Sequence, residues 1–396
     1  MLKSLQAKLD LRYQAPVLVC LLLIVVLLIL PTGYEGAIQY QDADRCAARV
    51  LSVDNSAIID TGLVRSGEQL CELELLGGRF QGQTATGVNM LNGSLEQDKI
   101  FAPGDKAMVV VSYQGDTILS VTMTDHYRLN LELVLAVLFA VFLILFAGRT
   151  GVRAILSFVL TVLTLWKVLV PVYLKGYNPI YVGLLVTLAL TLMIIALVYG
   201  FDQRCFAAVS GAFLGILVTC VLGMIFTDLF QIHGAVMSYS ESLLYAGYQD
   251  LNLTQIFMAS IFIGSSGAVM DLAVDISSAV NEVVEKRPDI SWREAVGSGM
   301  NVGRAAMGTM TTTLLLAYSG GYVALLMVFM AQGTPLYNIL NYKYVASEII
   351  HTVVGSFGLV TVAPLTALTS GILLTRKKRR QLTQAAEPKT EETPSV

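Results

Sequence analysis

The sequence predicts a mainly α-helical polytopic membrane protein with about eight spans and one small extracytoplasmic β domain. Three observations predict it. Of 396 residues, 55% are hydrophobic and only 14% charged, with a mean hydropathy of +0.66. A soluble domain would carry about a quarter charged residues. Apolar runs long enough for a hydrocarbon core of roughly 30 Å recur along the chain. One long polar stretch, residues 32–127, interrupts them.

The spans follow in order. The first is 15–31, APVLVCLLLIVVLLILP. Its apolar core is long and no small-x-small cleavage site is clean, so it reads as a signal anchor. The second is 131–147, and the third is 152–174, with Lys167 inside it. The fourth and fifth are 179–199 and 205–226, the sixth is 254–276, the seventh 303–331 and the eighth 344–374. The last two are long enough to tilt or break. Basic residues fall in every second loop: Lys3, Lys8 and Arg12; Arg149 and Arg153; Arg204; Lys286, Arg287 and Arg293; Arg376 to Arg380. Basic loops stay inside, so both termini are expected in the cytoplasm and 32–127 outside.

The domain plan is therefore a cytoplasmic segment and anchor (1–31), a β-rich outer domain (32–127), a seven-span domain (128–376) and a basic cytoplasmic tail (377–396). Beyond Gln381 that tail is polar, contains Pro388 and Pro394, and reads as disordered.

Short strand signals fill the outer domain: CELELL (71–76), AMVVVSY (107–113) and TILSVTMT (117–124). Turn signals separate them at Gly77-Gly78, Asn92-Gly93, Pro103-Gly104-Asp105 and Gln114-Gly115-Asp116. A barrel or sandwich of about five strands fits. Cys46 and Cys71 are the domain's two cysteines. On an oxidising side they are expected to form a disulfide, with two free buried thiols as the alternative. His126 reads as a packing or solvated residue. Cys20, Cys205 and Cys220 read as small apolar residues of the spans.

Chemistry concentrates in the hairpin of spans six and seven. Its first arm, GSSGAVMDLAVDISSAVNEVVE, places Gly264, Gly267, Asp271, Asp275, Ser278 and Glu282 at steps of three and four, which is one helix face. Its second arm carries Asn301, Arg304, Gly308 and Thr311 or Thr312 on one face. Asp271 lies 15 residues past Ile256, or roughly 22 Å at 1.5 Å per residue, in the cytoplasmic third. Gly264, Gly267 and Gly308 are expected to let the two helices approach closely. A carboxylate–arginine–hydroxyl cluster follows, working as an acidic relay for protons or a small cation. The bland alternative is that Asp275 and Arg304 mark the interface and snorkel. Between the arms, Ser291 and Glu294 form a capping-box pattern.

Lys167 requires an acid partner, a wet cavity or a route to the headgroups. Glu348 and His351, three apart at the start of span eight, either pair at the outer surface or line a pathway. Glu282 is a further secondary candidate. No CxxC, HExxH, GxSxG or Walker motif is present, and with three histidines a zinc enzyme site is not expected. An enzyme and a cofactor are thus not expected, while metal binding is left open.

The segment MDLAVDISSAVNEVVEKRPDISWREAVGSGMN, followed by VGRAAMGTMTTTLLLAYSG, resembles the bacterial YibE/F-like membrane proteins. The resemblance extends to the anchor, an outer β domain with a turn at Gly104, Asp105 and Lys106, and seven further spans. It implies a bacterial cytoplasmic-membrane location. In that family an Asp usually follows the Arg and an Asn precedes the final Thr-Leu; Ala305 and Thr312 stand here instead. More distantly, the hairpin is similar to the resistance-nodulation-division superfamily and its SecF-like members. That similarity implies proton coupling at Asp271 or Asp275, with Arg304 and Thr311 to Thr313 beside it.

The expected function is an ion-coupled transporter or exporter. The competing reading is a non-catalytic accessory or scaffold that binds a partner through the outer domain. Expected partners are the lipid bilayer, a small ion or small molecule, and either further copies of the chain or a partner membrane protein. A net charge of −3 gives no electrostatic case for nucleic acid.

Overall fold

A computed structural model describes residues 11–34 and 43–386. The expectations for Lys3, Lys8 and the polar end of the tail (387–396) lie outside the described residues. The elements in chain order are α1 (Leu11–Ile29), β1 (Ala43–Asp54), β2 (Ile58–Asp60), β3 (Arg65–Leu75), β4 (Thr84–Asn92), β5 (Lys106–Gln114) and β6 (Thr117–His126). There follow α2 (Leu129–Thr164), a π-helical turn (Leu165–Leu169), α3 (Val170–Leu174), α4 (Pro179–Tyr199), α5 (Gln203–Leu229), α6 (Ser240–Tyr245), α7 (Leu253–Lys286) and α8 (Trp292–Ser319). The chain ends through α9 (Val323–Ala331), α10 (Leu336–Leu340) and α11 (Lys343–Ala386). Contacts divide it into two units, Gly33–Gly148 and the remainder.

The first unit is built on a closed barrel. β1 pairs antiparallel with both β3 and β5; β3 pairs with β4, β5 with β6, and β4 with β6 in parallel. β2 only extends β3 at one margin. Counting the five staves in chain order, neighbours run 1-2-3-5-4-1, the Greek-key order of the oligonucleotide- and oligosaccharide-binding barrel. Alternate residues turn inward, as the pleat requires, so Leu73, Val109, Val111 and Val121 are fully buried, and of their strand neighbours Val110 alone is buried as well. The strands β1 and β4 escape sequence reading, because charged residues dilute the first (ADRCAARVLSVD) and glycine and asparagine the second (TATGVNMLN).

Two buried amides also lay hidden in the sequence. Gln69 donates to the Phe101 carbonyl (2.9 Å) and accepts from its N–H (3.0 Å), and Asn89 donates to Gln69 (3.1 Å) and to the Lys99 carbonyl (2.6 Å). They pin the β4–β5 connection across the barrel and satisfy backbone groups that burial would leave unpaired. His126 stacks on Phe101, ring centres 4.4 Å apart, which is the packing role expected of it.

The expected disulfide is not formed. Cys46 and Cys71 are free and buried. Cys71 stands opposite Val53 of β1, seven positions along that strand from Cys46. At about 3.3 Å per residue that is roughly 20 Å, and a disulfide spans Cα atoms only about 4.4–6.8 Å apart.

Among the described residues six helices are long and apolar enough to cross a membrane: Leu129–Leu174, Pro179–Tyr199, Gln203–Leu229, Leu253–Lys286, Trp292–Ala331 and Lys343–Arg376. Tyr13–Ile29 is a shorter apolar helix. The 46-residue helix Leu129–Leu174 holds Gly148 at φ 55°, ψ −124° between the expected second and third spans. Only glycine takes such a conformation without strain. At the other end, α11 continues to Ala386, five residues past the expected start of disorder at Gln381. Gln, Leu and Ala, which make up five of the six residues from Gln381 to Ala386, favour helix.

In the second unit α11 is the hub, packed on α5, α7 and α8. Small residues bring these helices together. Gly211 of α5 abuts Thr366, and Gly358 of α11 abuts Thr219. Thr369 ties the same two helices by donating to the Ala207 carbonyl at 3.0 Å. The buried core combines Ala212, Ile216, Phe262, Leu272, Ile276, Leu359 and Val362. Basic residues of two segments converge on Tyr13 of a third: Arg153 donates to the carbonyls of Leu197 (3.1 Å) and Tyr13 (3.3 Å), and Arg204 to the Tyr13 hydroxyl (3.3 Å).

Candidate functional site

α7 and α8 form the hairpin that carries the acidic residues. Asn252 caps α7 by accepting from the Gln255 N–H (3.0 Å). The capping box expected of Ser291 and Glu294 opens α8. One side of α7, including Val269, Leu272, Ala273, Ile276 and Val280, is fully buried. The opposite side carries Gly264, Gly267, Asp271, Asp275 and Ser278, all exposed. The expected polar strip therefore exists as a strip, open at Gly267, Asp271 and Asp275, while at its ends Gly264 lies beside Tyr318 of α8 and Ser278 beside Tyr199 of α4. Asp271 stands 18 residues into α7, or about 27 Å along it, and Asp275 one turn further.

The expected pairing within the hairpin does not occur. Among the described residues no ion pair or hydrogen bond joins Asp271, Asp275 or Arg304 to another side chain, and Arg304 is exposed. The geometry explains why. Other glycines make the close approach: a Cβ at Gly299 would lie 2.7 Å from Val280, and one at Gly303 2.9 Å from Ala363 and 3.1 Å from Ile276. With those glycines facing inward, Asp271, Asp275 and Arg304 are carried outward on their helices. Gly267 and Gly308, expected at the contact, have nothing within 4 Å of where a Cβ would stand, and Gly264 lies beside the Tyr318 hydroxyl instead.

Thr311 and Thr312 line a groove of about 450 Å³ between α8 and α11, with Thr352 and Ser356 on its other wall among Leu315, Val353, Phe357 and Val360. Further along α11, Glu348 and His351 lie in a polar cluster that sequence reading only half located. His351 Nε2 is 3.3 Å from the Ser260 hydroxyl, and its ring packs on Phe257 (4.9 Å) and Tyr318 (5.8 Å). Glu348 neighbours Tyr322 and Thr352. One Glu348 carboxylate oxygen and the Tyr318 hydroxyl are buried without a hydrogen-bond partner among the described residues. The signal for Tyr318 was weak, because one tyrosine in an apolar helix reads as packing.

The remaining candidates have local partners. Lys167 donates to the Leu30 carbonyl at 3.1 Å, beyond the end of α1, in place of an acid. A helix end leaves carbonyls without donors, and the lysine supplies one. Its π-helical turn has a cause as well: Pro171 lacks an N–H and crowds the carbonyl four residues back, that of Lys167 itself. Glu282 pairs with Lys286 at 2.6 Å, both exposed, which is an i,i+4 surface pair and no part of a relay. At the inner edge of the strip, the Tyr199 hydroxyl donates to the Val274 carbonyl (2.5 Å) and lies 2.5 Å from the Ser278 hydroxyl. Among the described residues no three His, Cys, Asp or Glu side chains gather to hold a metal ion.

Among the described residues the fold is that of a mainly helical protein with six apolar helices able to cross a membrane and a small β barrel towards its N-terminus. The chain belongs to the YibE/F-like protein family, whose model matches residues 135–376, the helical region from α2 into α11. No curated protein and no solved structure matches it. The similarity of the hairpin to SecF-like proteins therefore stands on its short pattern alone.

Proposed function

We propose that this protein is an ion-coupled membrane transporter in which Asp271 and Asp275 take up and release the coupling ion. The observation that carries this reading is the pair itself: two carboxylates one turn apart, on a helix otherwise apolar enough to cross a membrane, with no partner in their own chain. A carboxylate at such depth is costly and is kept for use. The Thr311–Ser356 groove and the Glu348–His351–Tyr318 cluster continue polar groups along the hairpin and α11, as a path between the two faces would require. In this reading the chain crosses a bacterial cytoplasmic membrane eight times, with α2 divided at Gly148, both termini inside and the barrel outside. It moves an ion or small molecule and catalyses no chemical step.

The test is a proteoliposome assay. An imposed pH gradient, read by an internal dye, is expected to dissipate faster with the wild-type chain than with Asp271→Asn, while Asp275→Asn is intermediate. Insertion and folding of each variant are measured alongside by size-exclusion profile. Equal dissipation by wild type and a folded Asp271→Asn removes the proton-coupled form of the proposal; the same comparison under a sodium gradient decides the cation-coupled form.

A further inference from the structure

Three helix ends and the break in α2 meet around Tyr13. The apolar helix Tyr13–Ile29 begins there, α4 ends at Tyr199 and α5 begins at Gln203. Arg149 directly follows Gly148, where α2 leaves its helical path. In a chain that crosses a membrane, the ends of apolar helices lie at the lipid headgroups. Three arginines gather at this level. Arg204 is matched by Asp202 at 3.3 Å. Arg149 and Arg153 have no such match: among the described residues neither forms an ion pair, and the exposed Arg149 makes no hydrogen bond either.

These two arginines border a cavity of about 370 Å³ between α1 and α2. Arg149, Val152, Arg153 and Leu156 follow one another at steps of three and four, so one face of α2 forms its first wall. Tyr13, Gln14 and Val17 of α1 form the second. The lining is graded from polar to apolar. Val17 and Leu156 lie one turn deeper than the polar rim and pack against the cluster of Cys20, Leu160 and Leu197. None of the lining residues is acidic. Arg153 is also held in place: it donates to the Leu197 and Tyr13 carbonyls and keeps the rest of its five donors for another group. A soluble anion would need the charges alone. An apolar floor below them suits an anion that carries a hydrocarbon tail.

We propose that this cavity binds an anionic phospholipid, with Arg149 and Arg153 on its phosphate and the start of an acyl chain along Val17, Val152 and Leu156. The planar fork of arginine matches phosphate oxygens. Two positive charges without an acid favour a headgroup of net negative charge over a zwitterionic one, whose amine they repel. A lipid seated there bridges α1 and α2 beside the break at Gly148. The site is independent of Asp271 and Asp275, so it stands or falls apart from the transport reading.

The experiment is native mass spectrometry of the full-length chain, delipidated in detergent and titrated with dioleoyl phosphatidylglycerol or dioleoyl phosphatidylcholine. One phosphatidylglycerol is expected to bind roughly tenfold or more tightly than phosphatidylcholine. Arg149→Gln is expected to weaken it about tenfold, the loss of one hydrogen bond to a charged group. Val152→Trp, which fills the floor and leaves both charges, is expected to weaken it as far. Arg287→Gln removes the same charge at an exposed position outside the cavity, at the end of α7, and is expected to bind as the wild type does. Inorganic phosphate in large excess is expected to leave the lipid bound. The fold of each variant is read from its circular dichroism melt; if one cavity variant fails to fold, the other decides. Equal affinity for the two lipids, displacement by phosphate, wild-type affinity in a folded cavity variant, or an equal loss in Arg287→Gln overturns the proposal.

Discussion

Each buried polar side chain here is decided by whether its own chain offers a partner. Gln69 and Asn89 are fully buried; both side-chain polar atoms of Gln69 are engaged and the Asn89 amide nitrogen donates twice, though the Asn89 Oδ1 has no partner among the described residues, so together they hold the barrel's β4–β5 connection. Cys46 and Cys71 have no such role. Burial pushes the Cys71 thiol up to about 11 and raises that of Cys46. A thiol with a raised pKa stays protonated, and unreactive, until the pH approaches that value. Neither cysteine is therefore expected to take up maleimide in the folded protein at pH 7. In denaturant without reductant all five cysteines of the chain are expected to react, the labels on Cys46 and Cys71 being located by the mass of their peptides. Failure of both to react in denaturant would restore the disulfide that the strand register rules out. The sequence signal for that bond was two cysteines in one outer domain. Pairing is a property of register, which cysteine spacing does not report.

At the scale of elements, the helical hairpin was legible and its orientation was not. A period of three and four marks the strip from Gly264 to Glu282 without ambiguity, and the capping box marks where α8 begins. The same pattern cannot say whether a polar face looks at its partner helix or away from it. The deciding signal lay in Gly299 and Gly303, four apart on α8, which fit against Ile276 and Val280. Taking Gly264, Gly267 and Gly308 as the contact turned both helices the wrong way round. Lys167 teaches a similar lesson. A lone lysine in an apolar run suggests an acid, yet a helix end supplies unpaired carbonyls at no cost in charge, and the Leu30 carbonyl serves. Lys167→Met is accordingly expected to leave ion flux within about twofold of wild type. Its cost is the loss of one charged hydrogen bond, on the order of 1–3 kcal/mol, read as a lower melting temperature of the purified protein in detergent. A complete loss of flux in a stably folded Lys167→Met would return the lysine to the pathway.

At the scale of the whole molecule, the apolar runs mark where helices lie, because crossing a membrane leaves the backbone little choice. The barrel was legible as a β domain of the right size but not in its strand order, which long-range pairing sets. Sidedness is the claim on which the depth of the acidic strip depends. It has two independent supports. Basic residues recur in every second loop, and Arg153 and Arg204 of two of these regions meet Tyr13 at one end of the bundle through hydrogen bonds of 3.3 Å. Segments drawn together by such contacts share one end of the bundle, and in the proposed topology the bias of lysine and arginine assigns that end to the cytoplasm. With the native cysteines buried, single new ones report access directly. Met90→Cys, on an exposed position of β4, is expected to react with a membrane-impermeant maleimide in intact cells. Asp289→Cys, in the loop between α7 and α8, is expected to react only after the cells are opened. The reversed pattern would place Asp271 in the outer third of the membrane and Glu348 and His351 in the inner third. The ion would then load at opposite ends of the same path.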